Sequence, residues 1–174
     1  MLKKIFIFFS SAMLLITGWL WANEPPEIRY APLPKADKVV VQKAKRMLTL
    51  YANDQKIKSY HVHLGGNPMG HKQQEGDLRT PEGEYTLDWR NPNSSYFLSL
   101  HVSYPNKEDI TNAKKRGVSP GKNIMIHGQP NWLSWQQYIK LQNDWTEGCI
   151  AVLNHEMLEI WEAVDDGTPI IILP

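Results

Sequence analysis

Short apolar runs broken by Gly, Pro, Asn and Asp set the reading of this chain. Lys38-Val39-Val40-Val41 opens as a strand. Lys45–Tyr51 and Ile57–Leu64 read as two more, joined through Asn53-Asp54, a hairpin signal. In the second of these, Tyr60, Val62 and Leu64 fall on one face while His61 and His63 fall on the other. Glu84–Trp89, Tyr96–Tyr104, Ile124–Ile126 and Ile170–Leu173 complete the strand pattern. Helical spacing appears over Glu108–Arg116, ended by Gly117, and over Trp132–Asn143, where Trp132, Trp135 and Tyr138/Ile139 recur. A third helix follows Asn154, an N-cap residue. It is expected to bury Met157, Leu158, Ile160, Trp161 and Val164, with Gly167 closing it. Strands dominate and βα alternation is absent. The predicted architecture is mainly β, a largely antiparallel sandwich or barrel with two or three short helices.

The ends of the pattern differ from its middle. Lys3-Lys4 precedes an apolar run from Ile5 to Leu20, and Ala22 stands where a signal peptide would be cut, although Leu20 is large for the position two residues earlier. Residues 1–22 are therefore expected to be a signal peptide directing the protein to the periplasm or cell envelope. Contact with the inner membrane follows only if this leader is not cleaved. Residues 23–37 hold Pro25, Pro26, Pro32 and Pro34 and read as an extended linker, leaving 38–174 as one domain. Inside that domain Gly65–Gly83 carries five glycines and two prolines, a loop long enough to suggest function.

Charge and cysteine content narrow the chemistry. Nineteen Lys and Arg balance eighteen Asp and Glu, so there is no electrostatic footprint for nucleic acid. Cys149 is the one cysteine, and in an oxidising compartment a lone thiol is either buried and inert or kept for chemistry. It sits in Thr146-Glu147-Gly148-Cys149-Ile150-Ala151-Val152, twenty-two residues after His127-Gly128. A cysteine attacks as thiolate, and an imidazole is the usual base that generates it. Gly148 permits a tight turn that aims the backbone N–H groups of Gly148 and Cys149 at one point, as an oxyanion requires. The plainer alternative is a small buried thiol and a histidine at a strand end. His61 and His63, with His71, Asp77 or Cys149, have the ligand types for zinc. His-Glu-x-x-His is absent, however, and solvated or site-lining histidines are the simpler reading, so no metal is assigned. Glu147 would raise a neighbouring thiol's pKa if it faced inward, so it is expected to face solvent or a cationic substrate group.

Taken together, the segments resemble the L,D-transpeptidase catalytic domain, also called the YkuD domain, and most closely its small exported murein branch. The residues carrying the likeness are Gly76-Asp77-Leu78-Arg79-Thr80-Pro81-Glu82-Gly83-Glu84-Tyr85, Asn91 through Leu100, Ser103-Tyr104-Pro105-Asn106, Ile126-His127-Gly128 and Thr146 through Val152. The resemblance implies that Cys149 is the nucleophile, His127 the general base, and the Gly128 carbonyl the third member that fixes the imidazole. Gly148 and Cys149 N–H groups would hold the oxyanion, and Arg79, Tyr104, Asn106, Trp145 and Thr146 would bind substrate. It implies a cysteine acyltransferase acting at diaminopimelate in peptidoglycan stem peptides, with no cofactor. The alternatives are a hydrolase of the same family, either an L,D-carboxypeptidase or an amidase releasing diaminopimelate-linked protein, and a peptidoglycan-binding module without chemistry. A wall-linked lipoprotein is a further partner under the amidase alternative. One departure stands out: most transpeptidases of the family place arginine two residues after the cysteine, where this chain has Ala151.

Overall fold

A computed structural model of the chain describes residues 32–141 and 144–174, so the expected signal peptide and most of the proline-rich linker lie outside the described residues. Eight strands form one sheet: β1 (Lys38–Gln42), β2 (Met47–Ala52), β3 (Gln55–His61), β4 (Gly83–Ser94), β5 (Phe97–Val102), β6 (Met125–His127), β7 (Ile150–Ala151) and β8 (Thr168–Leu173). Their spatial order is β3-β2-β1-β8-β4-β5-β6-β7. Five of the seven pairings are antiparallel, while β1 with β8 and β6 with β7 run parallel. The sheet curls until the chain just past β3 meets the far edge. His63 and Ala151 exchange both backbone hydrogen bonds at 2.9 Å, Gly66 N–H donates to the Thr146 carbonyl at 2.9 Å, and Thr146 N–H donates to that of Leu64 at 3.1 Å. Joining the two edges leaves few unpaired groups there to recruit another chain.

Period-two alternation explains which way each strand faces. Val39 and Val41, Tyr60, Val62 and Leu64, Ile126, Ile150, Ile170 and Ile172 turn into one apolar core. The hairpin between β2 and β3 uses Asn53 and Asp54, both at positive φ, matching the residue preference of a two-residue turn. Three α-helices lie among the described residues: α1 (Lys107–Arg116), α2 (Trp135–Tyr138) and α3 (Asn154–Ala163). Asn106 and Asp109 cap α1 reciprocally, and Gly117 ends it in the left-handed conformation.

The structure departs from the sequence pattern in several places. β4 continues through Asn91-Pro92-Asn93, because its pairing with β5 slips there and Pro92 owes the ladder no N–H. The helix expected over Trp132–Asn143 is only Trp135–Tyr138, since Leu133 is first turned back onto the Pro130 carbonyl and Ser134 caps late; residues 142 and 143 are not described. Asn154 is the first residue of α3 rather than its cap, and the Glu156 carboxylate accepts the Leu153 N–H instead. Leu158 is exposed, not buried.

Loop 65–82 has no regular structure but is held firmly by polar groups. Lys43, only 2% exposed, reaches under it from a short 3-10 turn (Lys43–Lys45). Its Nζ donates to the Gly70 carbonyl at 2.7 Å, the Thr80 carbonyl at 2.9 Å and Glu82 Oε1 at 2.8 Å. Asp77 accepts from the N–H groups of Gln73, Gln74 and Arg79 and from Lys72 Nζ. Lys43→Met would strand Glu82 and two carbonyls, and we expect a loss of about 3 kcal/mol. Thermal denaturation should show a melting point lower by roughly 10 °C.

Candidate active site

β6 and β7 set the geometry. Their parallel register pairs Ile126 with Ile150 and His127 with Ala151, which puts Cys149 opposite Met125. Ile126 and Ile150 face the core, so Cys149, His127 and Ala151 project to the other face, with Cys149 and His127 diagonal neighbours. Diagonal positions on adjacent strands lie about 7–8 Å apart between backbones, within reach of long side chains. Ser99 on β5 and His63 on the closing segment extend the same row.

His127 is 3% exposed. Its Nδ1 lies 2.7 Å from the Gly128 carbonyl, an acceptor only, so Nδ1 carries the proton and Nε2 is left unprotonated, free to accept one. The Tyr96 ring lies against the imidazole with centroids 4.5 Å apart, and Trp145 meets it edge-on at 5.8 Å. Trp132 and Tyr138 extend this cover from the crossover between β6 and β7. Burial disfavours the imidazolium and pulls the His127 pKa down to about 4, against the opposing pull of the Gly128 hydrogen bond. The His127–Gly128 turn is clamped from behind. Gly128 N–H donates to the Tyr96 carbonyl, and Gln129 and Asn154 bond reciprocally, backbone to side chain, at 2.7 and 3.2 Å. A Cβ on Gly128 would lie 2.6 Å from Asn154 Oδ1, so only glycine fits.

The Cys149 turn is equally constrained. Gly148 has φ +133°, and a Cβ there would lie 2.5 Å from the Arg79 carbonyl. Thr146 Oγ1 donates to the Cys149 carbonyl at 2.8 Å and accepts the Gly148 N–H at 3.1 Å. That second bond engages the Gly148 N–H inside the turn. The thiol itself is partly exposed and lies 3.6 Å from the Asn123 carbonyl. Burial pushes its pKa up and Glu147 adds to this, while the Met125 backbone N–H and Lys72 pull the other way. The sulfur opens into a cavity of about 300 Å³ walled by Lys72, Glu75, Lys122, Asn123 and Glu147.

Other expected site residues fall elsewhere. Tyr104 is buried with its hydroxyl donating to the Pro120 carbonyl, and Asn106 Oδ1 caps α1; neither lines the cavity at the sulfur. Arg79 holds this region through its backbone, and its guanidinium turns to the His71 carbonyl. His71 is bound by Asp109 Oδ1 and the Glu82 N–H, apart from His61 and His63. Among the described residues no group of three or more His, Cys, Asp or Glu is arranged to hold a metal. Sequence reasoning missed Tyr96 as a partner of His127, Asn154 as its clamp, and the cavity lysines. Tyr96 alone had a signal, standing in the motif that precedes β5.

Comparison with known proteins identifies the family. The model of the L,D-transpeptidase catalytic domain, YkuD, matches residues 36–172. YafK of Escherichia coli (strain K12), a candidate L,D-transpeptidase, is 29% identical over 133 residues, 72% of this chain and 46% of that protein. The helical cell shape determining protein Pgp2 from Campylobacter jejuni superposes with a TM-score of 0.62 at 27% identity, over 90% of this chain and 54% of that one. An L,D-transpeptidase from Xylanimonas cellulosilytica shares the fold with a TM-score of 0.51 at 14% identity, over 91% and 69% of the two chains. The chain thus spans about half the length of YafK and of Pgp2. With a family match across nearly all of the described domain, the chain belongs to the L,D-transpeptidase (YkuD) catalytic-domain family.

Proposed function

We propose that this domain is a cysteine acyltransferase acting on peptidoglycan stem peptides through a Cys149 acyl-enzyme. The observation that carries the reading is the β6–β7 register, which sets the nucleophile and the base on one face of neighbouring strands beside an open cavity. His127 Nε2 takes the thiol proton as Cys149 Sγ attacks the diaminopimelate carbonyl, forming a C–S bond. The Cys149 N–H faces the developing oxyanion, and the Gly148 N–H joins only if it leaves Thr146. His127 then protonates the departing amine as its C–N bond breaks. An incoming amine completes transpeptidation, and water completes hydrolysis. Hydrolysis, as a carboxypeptidase or an amidase, is the second reading. It is favoured by Ala151, a fully buried methyl in the row of His127 where the resemblance leads one to expect a cation.

We propose export as well. Residues 1–22 act as a signal peptide and 23–37 as a linker, so the domain works in the periplasm. Among the described residues no helix is long and apolar enough to cross a membrane. A contribution to cell shape, the property in the name of Pgp2, follows if stem peptides are its substrate.

Purified protein incubated with disaccharide tetrapeptides should yield cross-linked, trimmed or detached products by mass spectrometry. Cys149→Ala should lower product formation by at least about a thousandfold. Turnover that survives this change ends the acyl-enzyme reading, and wild-type protein that binds stem peptides without converting them leaves the binding module.

The protonation states generate a second expectation. A raised thiol and a lowered imidazole make the resting pair neutral on both sides, unlike a preformed thiolate–imidazolium pair. Alkylation of Cys149 by iodoacetamide should therefore climb with pH to a midpoint above the usual thiol value of about 8.5, with no plateau near neutrality. Tyr96→Ala opens the cover and should move the His127 titration, followed by NMR, from about 4 upward toward its ordinary value.

A further inference from the structure

β4 and β5 fall out of register between the pairs Leu87–Val102 and Arg90–Leu100, so that Asp88 and Trp89 together oppose His101. A bulge of this kind re-aims side chains. Here it turns two successive residues onto one imidazole. Asp88 Oδ1 lies 2.6 Å from His101 Nδ1, and the Trp89 ring stacks on His101 with centroids 5.0 Å apart and 20° between the planes. The His101 side chain is only 13% exposed, whereas Trp89 is 43% exposed. A lone exposed apolar residue means little. This indole is backed by a ring that a carboxylate holds, so it meets solvent already fixed in orientation, and little freedom is lost when a ligand lands on it. Asp88 is itself exposed, and its Oδ2 makes no hydrogen bond among the described residues.

We propose that Trp89, with Asp88 and His101, is a binding site for a sugar ring, and that it seats the glycan whose stem peptide reaches Cys149. The inference rests on the acyl-enzyme reading for the identity of the polymer and adds where its glycan lies. Chemistry selects the ligand class. A flat, rigid indole covers the C–H face of a pyranose, and the free carboxylate oxygen accepts from the hydroxyls of the same ring. The sheet supplies the path. His101 pairs with Met125, and Cys149 lies opposite Met125 on the other side, so Trp89's partner and the sulfur stand in one row on one face, two strands apart. Two strand spacings make about 10 Å. Three residues of extended stem peptide span about the same length. A stem carbonyl at Cys149 therefore leaves its glycan within reach of Trp89.

The test separates the sugar from the chemistry. Tetra-N-acetylchitotetraose, a glycan without peptide, is titrated into the isotope-labelled protein. The indole N–H resonance of Trp89, identified by its loss in Trp89→Ala, should shift with a Kd in the millimolar range, the strength that one stacked ring and a hydrogen bond supply. Saturation transfer to the sugar protons reads the variants. Trp89→Ala should weaken binding about tenfold and Asp88→Ala about threefold, while Trp89→Tyr, which keeps a ring, should retain most of it. Melting curves identify any variant that is not folded, and Trp89→Tyr and Asp88→Ala then decide. An unmoved Trp89 resonance, or sugar binding that survives Trp89→Ala, overturns the site. A Trp89 resonance that answers a glycan-free tetrapeptide and ignores the sugar overturns it as well. Turnover is scored separately. Sugar binding by a protein that converts no tetrapeptide keeps the site and ends the acyl-enzyme reading, and conversion without sugar binding does the reverse.

Discussion

Closing the sheet onto itself is the constraint on which the rest of this molecule depends. The hydrogen bonds between residues 63–66 and 146–151 fix where the Cys149 turn sits relative to β6. Asp144 reinforces the join, accepting from Arg46 Nε and from the Leu64 N–H. β7 is only two residues long and could not hold register alone. Wedged between β6 and the His63 segment, it is paired on both sides, and a one-residue slip would turn Ile150 outward and Cys149 into the core. The apolar demand of the core therefore sets the orientation of the sulfur.

Glycine enters this constraint twice, for different reasons. At Gly148 the backbone conformation and the nearness of the Arg79 carbonyl both exclude a side chain. At Gly128 the conformation is ordinary, and it is the Asn154 side chain that fills the space. Loop 65–82 thus contributes more than a rim to the cavity. Through Arg79 and Leu78 it forms the surface against which Gly148 and Gly65 pack, and Lys43 holds that surface from below.

These dependencies explain what could be read from the chain. Alternation over Ile57–Leu64 placed Tyr60, Val62 and Leu64 in the core and both histidines on the other face, because that signal is local and periodic. The family motifs located His127, Gly128 and Cys149 for the same reason: each lies in a short contiguous stretch. Lys72, Lys122 and Tyr96 come from separate loops, and no spacing rule links them to Cys149. Asn154 misled for a physical reason, since an asparagine that caps a helix and one that ties a distant turn look identical until Gln129 is placed beside it. The bond from the Gly148 N–H to the Thr146 hydroxyl had no signal in the sequence, since any threonine two residues before a glycine looks the same.

The aromatic cover gives the site a built-in tension. Tyr96 and Trp145 shield His127 from water, and the same shielding lowers the basicity on which proton removal relies. Trp145 Nε1 and Tyr138 Oη are buried within that cover without a hydrogen-bond partner among the described residues, which costs stability. A neutral imidazole facing a neutral thiol has little Coulombic reason to transfer a proton beforehand. On the proposed mechanism, charge separation would become favourable when a tetrahedral oxyanion forms at the Cys149 N–H, since its negative charge would stabilise the imidazolium in the same low-dielectric space. Under the proposed acyl-enzyme mechanism, proton transfer would in this way be tied to bond formation.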